Sequence, residues 1–259
     1  MSGLSSSLRE APLLLLSPHF DDAALSCAAL LAREKPIDVL TVFAGEPMPP
    51  RQGKWDRVTG FADSTDSRRV RKAEEQAAFA DTPHKLAFLD LIESEYMSGP
   101  REQDDAAPIA AAVVGWLEQN PGGAISAPAG AGRLPGLLRA KARRLMGDYV
   151  AFRHPDHVFL RDAALDAVVS RPGAWAVLYD EFPYLFERAA DGEVLRIARS
   201  RGLAAELVVT PVDPRAKALR ISVYTSQVPH LAFRGRRVDL AENLPEEERY
   251  WILHSKNAR

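Results

Sequence analysis

Apolar positions along the chain fall into two recurring patterns. Short continuous runs at Leu13 to Leu16, Ile37 to Phe43, Lys85 to Leu91, Ala124 to Ala127 and Trp175 to Tyr179 have the length of strands buried on both faces. Between them, apolar residues recur at helical spacing. Ala24, Leu25, Ala28 and Leu31 predict a helix starting at the acidic pair Asp21-Asp22, and Val70, Ala73, Ala77 and Phe79 predict one over 65–80. Another spans 105–119 and stops at Asn120-Pro121-Gly122-Gly123. Val158, Phe159, Ala163, Leu165 and Val168 support a helix from Asp156 to about Ser170, with Pro155 suited to its first turn. Val194 to Ala198 and Glu206 to Thr210 read as two further strands, open to antiparallel pairing. Pro214 to Gln227 reads as a helix, and Glu246 to Leu253 as a polar helix. This alternation predicts an α/β fold, a three-layer sandwich whose mainly parallel sheet carries helices on both faces. The stretch 46–63, with Pro47, Pro49, Pro50 and Gly53, is too long for a mere connector and reads equally as a border of a site or as a flexible loop.

Composition narrows the picture. The 259 residues, 46% of them hydrophobic, can bury one substantial core, which predicts a single domain over 13–259 after a polar tail over 1–12. With 33 basic and 35 acidic residues the net charge is -2, so no overall field favours nucleic acid. A single cysteine, Cys27, excludes an intrachain disulfide framework and reads as a small core residue rather than a nucleophile. The tail has no apolar signal core, and no run is long enough for an integral membrane segment, so a cytoplasmic protein is expected. A homo-oligomer is compatible with all of this.

Candidate chemistry collects at two junctions between a strand end and a helix start, where a parallel sheet gathers its ligands. The first, Ser17-Pro18-His19-Phe20-Asp21-Asp22, brings one imidazole and two carboxylates. The second, Arg153-His154-Pro155-Asp156-His157, brings two imidazoles three residues apart at one helix end. Together they can supply convergent metal ligands with a position left for water. Taken singly, each has a plainer reading: Asp21 or Asp22 as a helix N-cap, His19 as a hydrogen-bonded structural histidine. Asp156 is best read as an N-cap. The small residues Pro128-Ala129-Gly130-Ala131-Gly132 would let backbone approach a ligand. His84, His230 and His254 have no ligand-spaced partner and read as structural or surface.

PHFDD followed much later by HPDH resembles the LmbE/PIG-L family of metal-dependent N-deacetylases, over most of the chain from about Leu13 to Trp251. The resemblance implies a Rossmann-like sheet, with His19, Asp22 and His157 as zinc ligands. It implies Asp21 as the general base, taking a proton from metal-bound water as it attacks an amide carbonyl, and His154 as oxyanion stabiliser or proton donor to the leaving amine. Softer matches add substrate contacts. Arg71-Lys72-Ala73-Glu74 resembles the family's RxxE helix, so Arg71 would reach substrate hydroxyls or an anionic group; an exposed salt bridge to Glu74 or Glu75 is the alternative of equal weight. Phe88-Leu89-Asp90 resembles a family strand end, with Asp90 binding a sugar hydroxyl or capping a turn. Tyr184 would line the cavity or serve as rim packing.

The match has departures. Ala23 stands where the PHPDDE form has glutamate, removing a carboxylate that could support the site, and Phe20 replaces proline. A PHxDDA subgroup is similar in both respects and has a downstream segment like Tyr179-Asp180-Glu181-Phe182-Pro183-Tyr184. Lys217 to Gln227 resembles a late family helix. The segment 133–153 is longer than the family usually has there. Leu134, Leu138, Leu145, Met146 and Tyr149 can share an apolar face beside Arg139, Lys141, Arg143 and Arg144. That basic insert reads as a lid or packing element, an oligomer contact, or a patch for phosphate or membrane.

The expected function is a zinc-dependent hydrolase removing an acetyl group from an N-acetylated amino sugar or glycoside, with ferrous iron as the alternative metal. Its partner would be a small-molecule N-acetylated sugar or glycoconjugate. Two other classes remain in view. His19-x-Asp21 with a distant histidine also fits a non-haem iron oxygenase triad, although familiar enzymes of that type are all-β. A non-catalytic sugar- or nucleotide-binding protein is the other; the first turn, glycine-free with two carboxylates, would repel a pyrophosphate.

Overall fold

The five continuous apolar runs become neighbouring parallel strands in a computed structural model, which describes residues 4–131, 154–184, 191–231 and 236–255. They are β1 (Leu13–Ser17), β2 (Asp38–Thr41), β3 (Lys85–Phe88), β4 (Ala124–Pro128) and β5 (Trp175–Tyr179). Two more, β6 (Leu203–Pro211) and β7 (Glu247–Ser255), complete a seven-stranded sheet of order β3-β2-β1-β4-β5-β7-β6. β1 to β5 are parallel, while β7 runs antiparallel to both β5 and β6. The result is a single α/β domain with a mainly parallel sheet, and strand order reverses between β1 and β4, the kind of switch point that opens a crevice for ligands.

β1 explains why its apolar run is unbroken. Leu14 and Leu16 pack on one face with Val42, Ile125, Leu160 and Leu165, while Leu13 and Leu15 pack on the other with Leu30, Val39 and Val177. Successive side chains of a strand point to opposite faces, so a strand between two layers needs apolar residues at every position.

The helices are α1 (Ser6–Glu10), α2 (Asp22–Ser26), α3 (Ala28–Leu31), α4 (Lys54–Thr59), α5 (Ser64–Phe79), α6 (Ala107–Gln119), α7 (Pro155–Val169), α8 (Asp191–Ser200) and α9 (Pro214–Ile221). α5, α6 and α7 lie where the spacing predicts them. The predicted helix from the acidic pair to Leu31 is instead two short ones that break at Cys27, because the Glu248 carboxylate accepts the Ala28 and Ala29 N–H groups at 3.0 and 2.9 Å and starts a new helix. Cys27 is buried in the core, and burial pushes its thiol well above the usual range, which suits packing and not nucleophilic attack. Part of the long 46–63 stretch folds as α4. The predicted helix 214–227 stops at Ile221.

Two predictions are corrected. Residues 194–198 belong to helix α8, not a strand: Val194, Ile197 and Ala198 are the buried positions, a spacing of three and four that marks one helix face. Residues 246–253 form most of strand β7, not a polar helix. Its glutamates favour helix locally, but pairing with β5 and β6 on both sides and burial of Tyr250, Trp251 and Leu253 override that preference. The tail over 1–12 contains α1, whose Leu8 is fully buried. The basic segment 133–153 lies outside the described residues. Among the described residues no helix is long and apolar enough to cross a membrane.

Candidate metal centre

The turn after β1 is built by its own polar atoms. Ser17 Oγ donates to the His19 carbonyl at 2.8 Å and accepts the Ala23 N–H at 3.0 Å, and the His19 N–H donates to Asp22 Oδ2 at 2.9 Å. Asp21 sits within this knot at φ 102°, the one non-glycine residue with positive φ among those described. Such a backbone is costly away from glycine and persists only where neighbours hold it. It precedes α2, yet its side chain makes no capping hydrogen bond, so neither carboxylate of the pair acts as a side-chain N-cap.

The second junction closes over the first across the β1/β4 crevice. Asp22 Oδ2 lies 3.2 Å from His19 Nδ1 and 3.3 Å from His157 Nε2, so two imidazoles and one carboxylate converge on a single point. One ring nitrogen from each of His19, His154 and His157 falls within 4.8 Å of the others. A set of two histidines and one aspartate is thus assembled from two segments, His19 and Asp22 on one and His157, at least 135 positions further on, on the other. The oxygenase arrangement would need Asp21 as the ligand; the carboxylate that reaches both rings is that of Asp22.

Each converging ring is oriented from behind. His19 Nε2 lies 3.1 Å from Asp156 Oδ2. Asp156 also accepts from Ser94 N and Oγ at 3.0 Å each and from Arg101 Nε and Nη2 at 2.9 and 2.6 Å. It is therefore no N-cap: that position belongs to His154, whose Nδ1 accepts the Asp156 N–H at 3.3 Å. His157 Nδ1 lies 3.1 Å from Glu181 Oε1, and Glu181 accepts the Gly130 N–H at 3.0 Å. Gly130, at φ 52°, packs so tightly that a Cβ would come within 3.2 Å of the His157 carbonyl oxygen. Carboxylate support behind ligating histidines fixes ring tautomer and direction. Ala23 contributes none of it, being buried in the core beside Leu13 and Leu15.

The electrostatics reflect surplus negative charge. Burial pulls the His19 imidazole down, but Glu93, Asp156 and Asp22 outweigh it and raise it to about 10. Burial likewise opposes Asp22 and Glu181 at His157, which ends at about 9. Asp22 resists its own burial through the two imidazoles and stays well below the ordinary carboxylate range. Two imidazoles that hold protons this tightly beside one carboxylate mark a place where a divalent cation would balance the charge, releasing the protons. One atom supports that fit directly: His157 Nε2 is buried 3.3 Å from Asp22 Oδ2, yet makes no hydrogen bond. Oxygen and imidazole donors suit zinc or ferrous iron.

The remaining site residues have different fates. Burial and the charge of Asp22 raise the Asp21 carboxyl well above its usual value. Burial and the neighbouring imidazoles of His19 and His157 lower His154 to about 3, so it is neutral near pH 7. With Nδ1 accepting a backbone N–H, its proton sits on Nε2, making it a donor. The Tyr184 ring lies 5.3 Å from His157 and 6.4 Å from His154. Arg71 is not paired on an exposed helix face: it is buried and donates to Glu93 Oε1 at 2.9 Å, while Glu74 binds Ser226 and Thr225. Asp90 is exposed, and its backbone bridges Phe43. His84 is a buried structural histidine and His230 an exposed one packed near Trp55.

Sequence reasoning gives no role to Arg101, Ser94 or Glu93, which lie outside the strands and α-helices, with no spacing signal. Glu181 was legible in principle, standing just past the end of a buried strand at the crevice.

No protein-family model matches the chain, and no curated protein matches it. Solved structures do. A deacetylase in complex with teicoplanin, from the teicoplanin biosynthesis pathway, is 21% identical with a TM-score of 0.67, over 96% of this chain and 100% of that one. The zinc-inhibited form of teicoplanin deacetylase Orf2 gives the same identity, coverage and score. The deacetylase of the antimicrobial A40926 pseudoaglycone is 22% identical at a TM-score of 0.66, over 96% and 99% of the two chains. The likeness establishes the fold. At this identity the chemistry has to be argued from the side chains.

Proposed function

We propose that this protein is a metal-dependent hydrolase that removes an acetyl group from an N-acetylated amino sugar or glycoside. The observation that carries the reading is the convergence of His19 Nδ1 and His157 Nε2 on Asp22 Oδ2, with an uncommitted Asp21 on one side and a neutral donor, His154, on the other. His19, Asp22 and His157 would hold zinc, which when bound supplies Lewis acidity to water and to the acyl oxygen.

Asp21 accepts the proton of the attacking water as the new carbon–oxygen bond forms. A carboxyl raised by burial and by a neighbouring charge is a stronger base than a surface aspartate, which brings it closer to the task near neutral pH. His154, neutral, donates a hydrogen bond from Nε2 to the oxygen that gains charge in the tetrahedral intermediate, and the proton that Asp21 took from water passes to the departing amine as the carbon–nitrogen bond breaks. Arg71, whose charge faces Asp21, Tyr184 beside the two histidines and the exposed Asp90 are assigned the sugar. A neighbour of the same fold that is the A40926 pseudoaglycone deacetylase, and another that is a deacetylase in complex with teicoplanin, support a glycoconjugate partner.

The test is metal content per chain together with acetate release from a panel of N-acetylglucosaminides, after loading with zinc or ferrous iron, since one neighbour is a zinc-inhibited form. His157→Ala is expected to lose the metal and the activity together. Asp21→Asn is expected to keep the metal and lose about 100- to 10,000-fold in rate. A chain that takes up no metal under any loading condition, or an Asp21→Asn variant of full activity, would refute the mechanism.

A further inference from the structure

Glu75, on α5, is a fully buried carboxylate that the mechanism above leaves unused. Its Oε2 accepts the backbone N–H of Asp21 at 3.3 Å and the hydroxyl of Tyr224, and its Oε1 accepts the Thr41 hydroxyl at 3.3 Å. All three partners donate, which suits the ionised form of this carboxylate. Thr41 belongs to the end of β2 and Tyr224 to the turn after α9, so Glu75 is itself fixed from two independent parts of the fold.

What it holds is the one strained non-glycine backbone among the described residues. A backbone at φ 102° persists only where its surroundings over-determine it. The direction in which Asp21 leaves the chain follows from that torsion. The other ties in this turn fix Ser17, His19, Asp22 and Ala23, and the Leu25 N–H holds the Asp21 carbonyl at 2.9 Å; the Asp21 N–H, on the other side of the strained φ, is bonded to Glu75.

We propose that Glu75 is a positioning residue that clamps the Asp21 N–H and so aims the Asp21 carboxylate at the attacking water, an inference that rests on the deacetylase reading. Burial pushes the Glu75 carboxyl up to about 7 against the hydrogen bonds of Tyr224, Asp21 and Thr41. A neutral amide of the same shape is therefore a fair substitute near neutral pH, with its oxygen toward Asp21 and Tyr224 and its NH2 toward the Thr41 oxygen.

The experiment compares Glu75→Ala and Glu75→Gln with the wild type in three readouts: kcat and KM for amide cleavage, metal content, and hydrogen exchange at the Asp21 amide. Glu75→Ala is expected to lower kcat by about 10- to 100-fold with KM and metal content unchanged, as a misplaced catalytic group does. Its Asp21 amide exchanges faster, and Glu75→Gln recovers both kcat and protection. Unchanged kcat in Glu75→Ala overturns the inference, as does a loss confined to KM or metal content, or a Glu75→Gln variant as impaired as the alanine. If the wild type releases no acetate from any amide, the deacetylase reading fails on its own. The exchange readout then decides whether Glu75 holds Asp21: unaltered exchange in Glu75→Ala overturns the clamp.

Discussion

Asp22 and Glu248 are buried carboxylates that serve neighbouring helices, Asp22 opening α2 and Glu248 capping α3, yet their surroundings differ in kind. Glu248 is closed. It accepts the Ala28 and Ala29 N–H groups and the Tyr250 hydroxyl, and it pairs with Lys217 Nζ at 2.7 Å. Asp22 is open. It faces two imidazoles whose pKa values are lifted by surplus carboxylate, and one of those rings presents a buried nitrogen with no hydrogen-bond partner. A closed cluster has its counter-charge in the sequence, whereas an open one calls for an ion from outside. Buried charge is thus a sign of function only when the donors and acceptors around it do not balance.

The contrast can be tested from its closed side first. Lys217→Met leaves Glu248 buried and unpaired, and is expected to cost about 3–5 kcal/mol of stability in denaturant unfolding. Metal content and kcat of the folded fraction are expected to stay at wild-type levels. Loss of metal in that variant would break the distinction between the two clusters.

The open side predicts a smaller and different effect. Glu181→Gln weakens the support behind His157 and is expected to lower metal affinity by about 10- to 100-fold, measured by competition with a chelator. Unfolding of the metal-free protein should change little by comparison. A variant that lost stability and kept its affinity would make Glu181 a structural residue like Glu248.

His84 sharpens the comparison from a histidine that is fully satisfied. Its Nδ1 accepts the Ile37 N–H at 3.3 Å and its Nε2 donates to the Leu31 carbonyl at 3.0 Å, which only the neutral ring can do. Burial lowers its pKa below the usual 6.5. The unfolded chain then binds this proton more readily than the folded one, so stability is present above about pH 6.5 and falls as the pH drops toward the folded value. The loss is expected to be about 1 kcal/mol, the scale of one hydrogen bond. Melting temperatures from pH 7.5 to 5 should show a shallower acid decline in His84→Gln than in the wild type, and equal slopes would show that His84 stays protonated or solvated in the fold.

Much of the fold was legible because burial on two faces writes itself into continuous apolar runs, as β1 shows with alternate leucines committed to opposite layers. The errors came where local preference and tertiary environment disagree. Glu246 to Glu248 favour a helix, but the place between β5 and β6 makes a strand of that segment. Val194 to Ala198 looked β-branched, although only one face of it is buried.

The site divides in the same way. PHFDD and HPDH by themselves nominated His19, Asp21, Asp22, His154 and His157, because ligand and base chemistry needs those residue types and a parallel sheet delivers strand ends to one crevice. Which of two adjacent aspartates faces the imidazoles was decided by the turn: Asp22 accepts the His19 N–H, and Asp21 is held at positive φ beside Glu75. The outer ring of Asp156, Arg101, Ser94 and Glu181 was also a tertiary decision, drawn from segments far apart in the chain. Hydrophobic period and motif are local and survive in a string of letters. Hydrogen-bond partners depend on which segments the packed core brings together, and that exists only once the chain has folded.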